Sequence, residues 1–351
     1  MKRFADVHLH MSTPDFDKCK TFLDEIKAQN VTDVCINALT YRYMAYNLWL
    51  LYFKKNYKDM KISVFGMPNM FDGYYKHIPF DLQAKALIDM GCDGIKLMFA
   101  GGTRKRLGYG IDNECLDKMF DYLDQNNIPV LVHTPDDDEC WNPDRENTFA
   151  DGTYLTKQEL YNEAFNRLEK NPNLNIVFAH FFFIAGDYDE AVRIMETYKN
   201  VKFDITPGTN MYVQFSKDVP KWREFFEKYS DRILYGTEAN STKSPDNHQL
   251  YTFTRALVLG KKDDLHIHPY WKIEVKGFDL SEEAIKNITF NNYDNFIGTP
   301  KEVNEEMLIA YAKRMLDDIK KEEKTFDAML GDHDGKLSQK WLEEFFKRAE
   351  N

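Results

Sequence analysis

Residues 4–10, Phe-Ala-Asp-Val-His-Leu-His, decide how this chain is read. So early an apolar run, with no charged-then-apolar leader before it, reads as a first strand rather than a targeting segment. Seven more strand-like runs follow, near 32–37, 61–67, 93–98, 129–134, 175–180, 201–206 and 232–237. Pro129-Val-Leu-Val and Asn175-Ile-Val-Phe-Ala are almost continuously apolar. Parallel strands buried on both faces require that character.

Helical patterns fill the intervals. Phe16, Cys19, Leu23 and Ile26 recur at helical spacing behind Thr13-Pro14, which reads as cap and first turn. Thr156-Lys-Gln-Glu159 has the capping-box pattern, and Ala191, Ile194, Met195 and Tyr198 form another apolar stripe. Eight strand–helix units in succession predict an α/β fold, a (β/α)8 TIM barrel. A doubly wound sheet fits less well, because no Gly-rich phosphate loop follows the first strand. After about residue 260 no strand pattern is clear, whereas 302–323 and 339–349 read as charged amphipathic helices. The expected organisation is a barrel domain over 1–300 and a helical C-terminal extension over 301–351 packed on it.

Composition narrows the function. The net charge of −11 disfavours nucleic acid and anionic membranes as partners. The five cysteines (19, 35, 92, 115 and 140) are scattered and form no CxxC pair. That pattern fits a reducing compartment rather than a disulfide framework. No apolar run approaches the roughly 18 residues of a membrane span. The expectation is a cytoplasmic protein acting on a small molecule, its composition compatible with a homo-oligomer without specifying one.

The ionisable residues gather where a barrel keeps its chemistry. His8 and His10, Lys96, His133, His180 and Glu238 all fall at or near the ends of expected strands. Active sites of such barrels lie at the C-terminal strand ends. The two-residue spacing of His8 and His10 directs both imidazoles to one side of the strand, with Asp6 on the same face one step deeper. Neutral imidazoles so placed suit Zn²⁺, Mn²⁺ or Fe²⁺. His133 is the expected third ligand. His180 is read as an acid/base group that orients a water, and Asp6 as structural or supporting rather than ligating.

Asp6-Val-His-Leu-His10, Gly94-Ile-Lys-Leu97, His133, Phe178-Ala-His180 and Ile233-Leu-Tyr-Gly-Thr237 together resemble the amidohydrolase superfamily. The likeness is greatest to the amidohydrolase-related branch that includes metal-dependent decarboxylases, and it runs over roughly residues 4–297. It implies a distorted barrel with a divalent metal, zinc first and manganese or iron as alternatives, at the strand ends. A metal-bound water would do the work. Where the family ends its eighth strand in Gly-Thr-Asp or Gly-Ser-Asp, this chain has Gly236-Thr237-Glu238, one methylene longer. Glu238 is therefore both candidate ligand and candidate base. The Gly-Ile-Lys-Leu context of Lys96 is similar to the mononuclear branch, which implies one ion and a substrate-binding lysine rather than a bridging carbamate.

Two long strand-end loops border this rim. In 100–110, Arg104 and Arg106 are candidates to clamp a substrate carboxylate and Tyr109 an aromatic wall. In 135–155, a run of about twenty residues without helical periodicity reads as a lid that brings Trp141, with Asn142, to the ligand. Asp332-His-Asp334-Gly335 faintly resembles a calcium loop, but Leu337 stands where a turn glycine is needed. The leading expectation is hydrolysis of a C–N or ester/lactone bond by a metal-activated water. Non-oxidative decarboxylation or hydration of a small carboxylic acid, and a metal- or ligand-binding barrel without turnover, are the alternatives.

Overall fold

A computed structural model of the chain describes residues 3–13, 15–40, 45–70, 78–208, 210–242, 247–262, 264–267, 272–321 and 336–349. Eight parallel strands follow one another around a single sheet in chain order. They are β1 (Phe4–Leu9), β2 (Val31–Asn37), β3 (Lys61–Gly66), β4 (Gly94–Met98), β5 (Val130–His133), β6 (Ile176–Phe178), β7 (Val201–Asp204) and β8 (Ile233–Leu234). Backbone bonds from Val7 N to Tyr235 O (3.0 Å) and from Glu238 N to His8 O (2.8 Å) bring the last strand back to the first. The result is the (β/α)8 TIM barrel that the alternating pattern predicts.

The helices are α1 (Phe16–Ala28), α2 (Tyr46–Asn56), α3 (Phe80–Met90), α4 (Gly101–Leu107), α5 (Asp117–Gln125), α6 (Lys157–Lys170) and α7 (Tyr188–Thr197). There follow α8 (Met211–Lys217), α9 (Val219–Lys228), α10 (Asn247–Leu259), α11 (Glu282–Lys286), α12 (Asn292–Ile297), α13 (Glu305–Lys321) and α14 (Lys336–Ala349). The capping box of Thr156 and Glu159 opens α6 as expected. At α1 the cap is Asp15, whose carboxylate accepts from Lys18 N, rather than Thr13; Pro14 lies outside the described residues.

Ala5, Val7, Cys35, Phe65, Leu131, Val177 and Leu234 fill the barrel lumen. Tyr293, Phe296 and Ile297 of α12 pack on them from the end where the strands begin, where Asp294 also holds Arg3. Each of the larger apolar side chains among them contributes about 1.5–3 kcal/mol when taken out of water. One end of the barrel is thereby closed with apolar bulk, and polar chemistry is left to the other.

Past residue 260 the structure adds what the pattern did not show, an antiparallel hairpin of β9 (Leu265–Ile267) and β10 (Glu274–Lys276). Its first strand exposes all three residues, so no buried alternation marks it. Helix α13 packs on α3 and α14 on α2, where Trp341 meets Tyr46 and Trp49. Residues 332–335 lie outside the described residues.

Candidate functional site

One irregularity in β1 builds the site. Asp6 is paired with Val34 and Leu9 with Ile36, so three steps of β1 run against two of β2. An extra residue of this kind is a β-bulge, which re-aims the side chains beside it. Asp6 is therefore not on the face of His8 and His10, as uninterrupted alternation would have it. Instead its buried carboxylate accepts from His8 N (3.0 Å), Thr237 N (3.2 Å) and Thr237 Oγ1 (2.6 Å). It ties the histidine strand to the Gly236-Thr237-Glu238 turn, and burial pushes its pKa up to about 7 against those bonds.

At the rim the histidine rings form a chain. Centroids of His8 and His10 are 5.1 Å apart, those of His8 and His180 5.3 Å, and those of His180 and His133 4.8 Å. In three of the four rings Nδ1 meets an acceptor: Asp204 Oδ2 for His8 (3.0 Å), Asn37 O for His10 (2.9 Å) and Thr206 O for His180 (3.2 Å). A carbonyl or an ionised carboxylate can only accept, so each Nδ1 carries the proton and each Nε2 keeps its lone pair. Burial also lowers the pKa of all three imidazoles, which keeps them neutral. Neutral rings offering Nε2 are the state in which histidine binds a divalent ion.

Glu238 completes the group. Among the described residues, one ligand atom each from His8, His10 and Glu238 can be chosen so that all lie within 4.8 Å of one another. The Glu238 side chain is 40% exposed and its Oε1 lies 4.0 Å from His180 Nε2. The donor set fits a divalent cation, and a positive charge already stands beside it. Lys96 Nζ is 3.3 Å from His8 Nε2 in full burial, which lowers its pKa to about 8.

His133 stands outside this set. Its Nε2 faces Asp136 Oδ1 at 3.3 Å, while Asp136 Oδ2 accepts from Gly101 N. Burial pushes the Asp136 carboxyl up, but its bonds with His133 and Gly101 N hold it below the usual value. Its Nε2 faces a carboxylate, whereas that of His8 faces the Lys96 ammonium.

Backbone strain marks the same place. His180, Phe181, Phe182 and Phe183 have φ of 55°, 54°, 55° and 50°, and Glu238 has 56°. Non-glycine residues seldom take this left-handed conformation, and where they do they cluster at functional sites. His180 therefore sits not on β6 but in a left-handed turn just beyond it. Asp204 Oδ1 accepts from His180 N (2.8 Å), the Tyr161 hydroxyl donates to Phe182 O (3.0 Å) and Phe183 O (3.1 Å), and Lys157 Nζ donates to Phe183 O (2.8 Å).

The expected substrate-binding residues divide. Lys96 reaches the site, but Arg104, Tyr109 and Trp141 are engaged elsewhere. Residues 101–107 form a helix rather than a loop, and Arg104 makes three hydrogen bonds to the Glu163 carboxylate on α6, the shortest 2.8 Å. Arg106 is exposed on the same helix, and Tyr109 packs against Phe80. Trp141 donates to Leu155 O (3.0 Å) and packs on Phe149, so it holds its own loop together. That loop is also pinned at its base, through Asp137 to Asn210 and Asp138 to Lys157.

Asp204, Thr206, Asn37 and Asp136 were missed in the sequence. Val201-Lys-Phe-Asp204 does carry a signal, an apolar strand that ends in an acid as β5 ends in a histidine. Asn37 and Thr206 act on the rings through backbone carbonyls, which no side-chain pattern reveals.

A parallel barrel with imidazoles and a carboxylate at its C-terminal rim defines an enzyme of the barrel-hydrolase class. The chain belongs to the amidohydrolase family, whose profile matches residues 42–294. The matched span begins after β2, so His8 and His10 lie outside it. Solved structures agree on the fold. A Staphylococcus aureus protein assigned to the amidohydrolases is 13% identical with a TM-score of 0.55, over 85% of this chain and 100% of that one. An uncharacterised TIM-barrel protein from Bordetella bronchiseptica is 13% identical with a TM-score of 0.52, over 83% and 98%. No curated protein sequence matches. Among the described residues no helix is long and apolar enough to cross a membrane.

Proposed function

We propose that the chain is a metal-dependent hydrolase that opens a C–N or ester/lactone bond of a small, carboxylate-bearing substrate. His8, His10 and Glu238 would hold one divalent ion, zinc being the first choice for two imidazoles and a carboxylate. When bound, such an ion polarises the substrate carbonyl and lowers the pKa of a water toward neutrality. The observation that carries this reading is the shared orientation of the rings, with Nδ1 of His8, His10 and His180 anchored and the Nε2 lone pairs turned toward the Glu238 end of the rim, where Lys96 Nζ already meets that of His8 at 3.3 Å.

The chain's own groups divide the remaining work. Glu238, partly exposed, takes the proton of the attacking water and delivers it to the leaving group. His180, 4.0 Å away, can take that proton on Nε2 and, once charged, steady the developing oxyanion. Lys96 offers the substrate carboxylate an ammonium in a dry setting, where a charge-assisted bond is strongest. The apolar bulk beneath the rim excludes water from below.

Elemental analysis of wild type beside His10→Gln tests the foundation. About one equivalent of metal, lost in the variant, supports the reading and justifies a screen of amides, lactones and esters. Carbon dioxide release in that screen would replace hydrolysis with decarboxylation. Failure of reconstituted wild type to bind Zn²⁺, Mn²⁺ or Fe²⁺ would end the metal mechanism.

A further inference from the structure

We propose that Asp204, at the end of β7, is the positioning residue that sets the protonation pattern of His8 and the place of His180 with one carboxylate. The inference rests on the metal-site reading above but concerns a residue outside the ligand set. Its side chain is completely buried, and its two oxygens are divided between two tasks. Oδ2 accepts a hydrogen bond from His8 Nδ1 at 3.0 Å. Oδ1 accepts from His180 N at 2.8 Å and from Thr206 N at 3.0 Å.

The arrangement on His8 is determined from both sides. Burial raises the Asp204 carboxyl pKa, while the charges of His180 and Lys96 and the backbone bonds of His180 and Thr206 lower it; as a carboxylate it has only acceptors, and the ammonium of Lys96, 3.3 Å from Nε2, has only donors. The sole hydrogen placement that satisfies both neighbours is Nδ1–H with the lone pair on Nε2. The second arm works on strain. His180 is held in the left-handed region, and the bond from its amide to Asp204 secures the first residue of that turn. Thr206, clasped by the same oxygen, is the residue whose carbonyl accepts from His180 Nδ1. Asp204 thus fixes His180 by its backbone directly and by its ring through Thr206.

Asp204→Asn is nearly isosteric, and the same contacts show why it fails. If the amide oxygen keeps the two backbone N–H groups, the NH2 faces His8 Nδ1. His8 must then move its proton to Nε2, where it opposes Lys96, donor against donor. If the amide is turned round, its NH2 faces the two backbone donors. Neither orientation is satisfied.

The experiment has two arms. The first is ¹⁵N-histidine NMR of the metal-free wild type, with His8 assigned by His8→Gln. It is expected to show His8 protonated at Nδ1. The second is zinc titration of wild type and Asp204→Asn, with melting curves for both. Outer-shell partners of ligating histidines typically carry a 10–100-fold effect on affinity, and a weakening of that size is expected. Protonation of wild-type His8 at Nε2 overturns the inference without any variant, so a misfolded Asp204→Asn cannot shelter it. A folded Asp204→Asn that binds zinc as tightly as wild type overturns it too. If wild type binds no zinc, the metal reading fails instead, and the NMR arm alone decides the role of Asp204.

Discussion

The left-handed turn at 180–183 should be the costliest local feature of the fold, and Tyr161→Phe should expose that cost. Each residue in this conformation loses about 1–2 kcal/mol relative to the right-handed form. Four in a row therefore store about 4–8 kcal/mol, comparable with the 5–15 kcal/mol that hold a typical domain together. What holds the turn is burial of Phe181 and Phe182 together with the bonds from Asp204, Tyr161 and Lys157. Tyr161→Phe removes one hydroxyl that serves two carbonyls, and it leaves the ring to pack on Phe182 at 4.8 Å. Loss of a buried donor costs about 1–3 kcal/mol. At about 2 °C per kcal/mol for a chain of this size, the melting temperature should fall by about 2–6 °C. Urea denaturation is the direct assay, with zinc titration beside it. Tyr161 touches neither His8, His10 nor Glu238, so zinc affinity should hold while the midpoint drops. An unchanged midpoint would refute the argument that the hydroxyl holds the turn.

Further outcomes follow from other contacts. In Gly236→Ala the new Cβ would collide with Thr206 Oγ1 and lie 3.2 Å from His8 Cβ. Overpacking of this kind costs about 1–3 kcal/mol, and the displaced His8 should weaken zinc binding, which calorimetry would read. Arg104→Met should leave metal content unchanged while lowering stability by about 1–3 kcal/mol, because its partner is Glu163 and not the substrate; an unchanged stability with impaired substrate binding would restore the clamp. Asp117 is held below its ordinary pKa by its bond to the buried Arg167. A depressed acid stabilises the fold above its unfolded pKa of about 4 and loses that effect as pH falls through the folded value. Asp117→Asn should therefore flatten the acid limb of a stability-against-pH curve and leave its shape above about pH 5 unaltered. Zinc at about 100 times its dissociation constant should raise wild-type stability by about 2.7 kcal/mol, removable by chelator and absent in His10→Gln.

The barrel was legible because its strands are buried on both faces, so Val130–Val132 and Ile176–Phe178 stand out as apolar runs. The rim was legible for the complementary reason that a histidine or lysine ending such a run has no packing role to explain it. What escaped depended on pairing between distant segments. The bulge in β1 exists only against β2. Ala179-His-Phe-Phe-Phe183 contains no glycine or asparagine to announce a left-handed turn, because its conformation is imposed by Tyr161, Lys157 and Asp204. The stretch after β4, read as a strand-end loop, is helical over 101–107 and carries Arg104 to Glu163. The hairpin of β9 and β10 has three residues in each strand, too few for a period to emerge.

Closure of the barrel also orders events in time. The segment that carries His8 and His10 is synthesised before the other seven strands, and the turn that carries Glu238 comes more than two hundred residues later. Until β8 has left the ribosome, Val7 N has no Tyr235 carbonyl and Asp6 has no Thr237 to bind. Entropy makes such long-range closure slow. A nascent chain ending near residue 230 would hold seven strands and an open seam, with its first strand at an unpaired edge. A circular permutant that begins at Val31 and appends residues 1–30 after the C-terminal helix, through a linker long enough to reach, would deliver the two halves of the site in reverse order. Comparing when native and permuted chains first gain protection at β1 would show whether the seam is the last part of this protein to form.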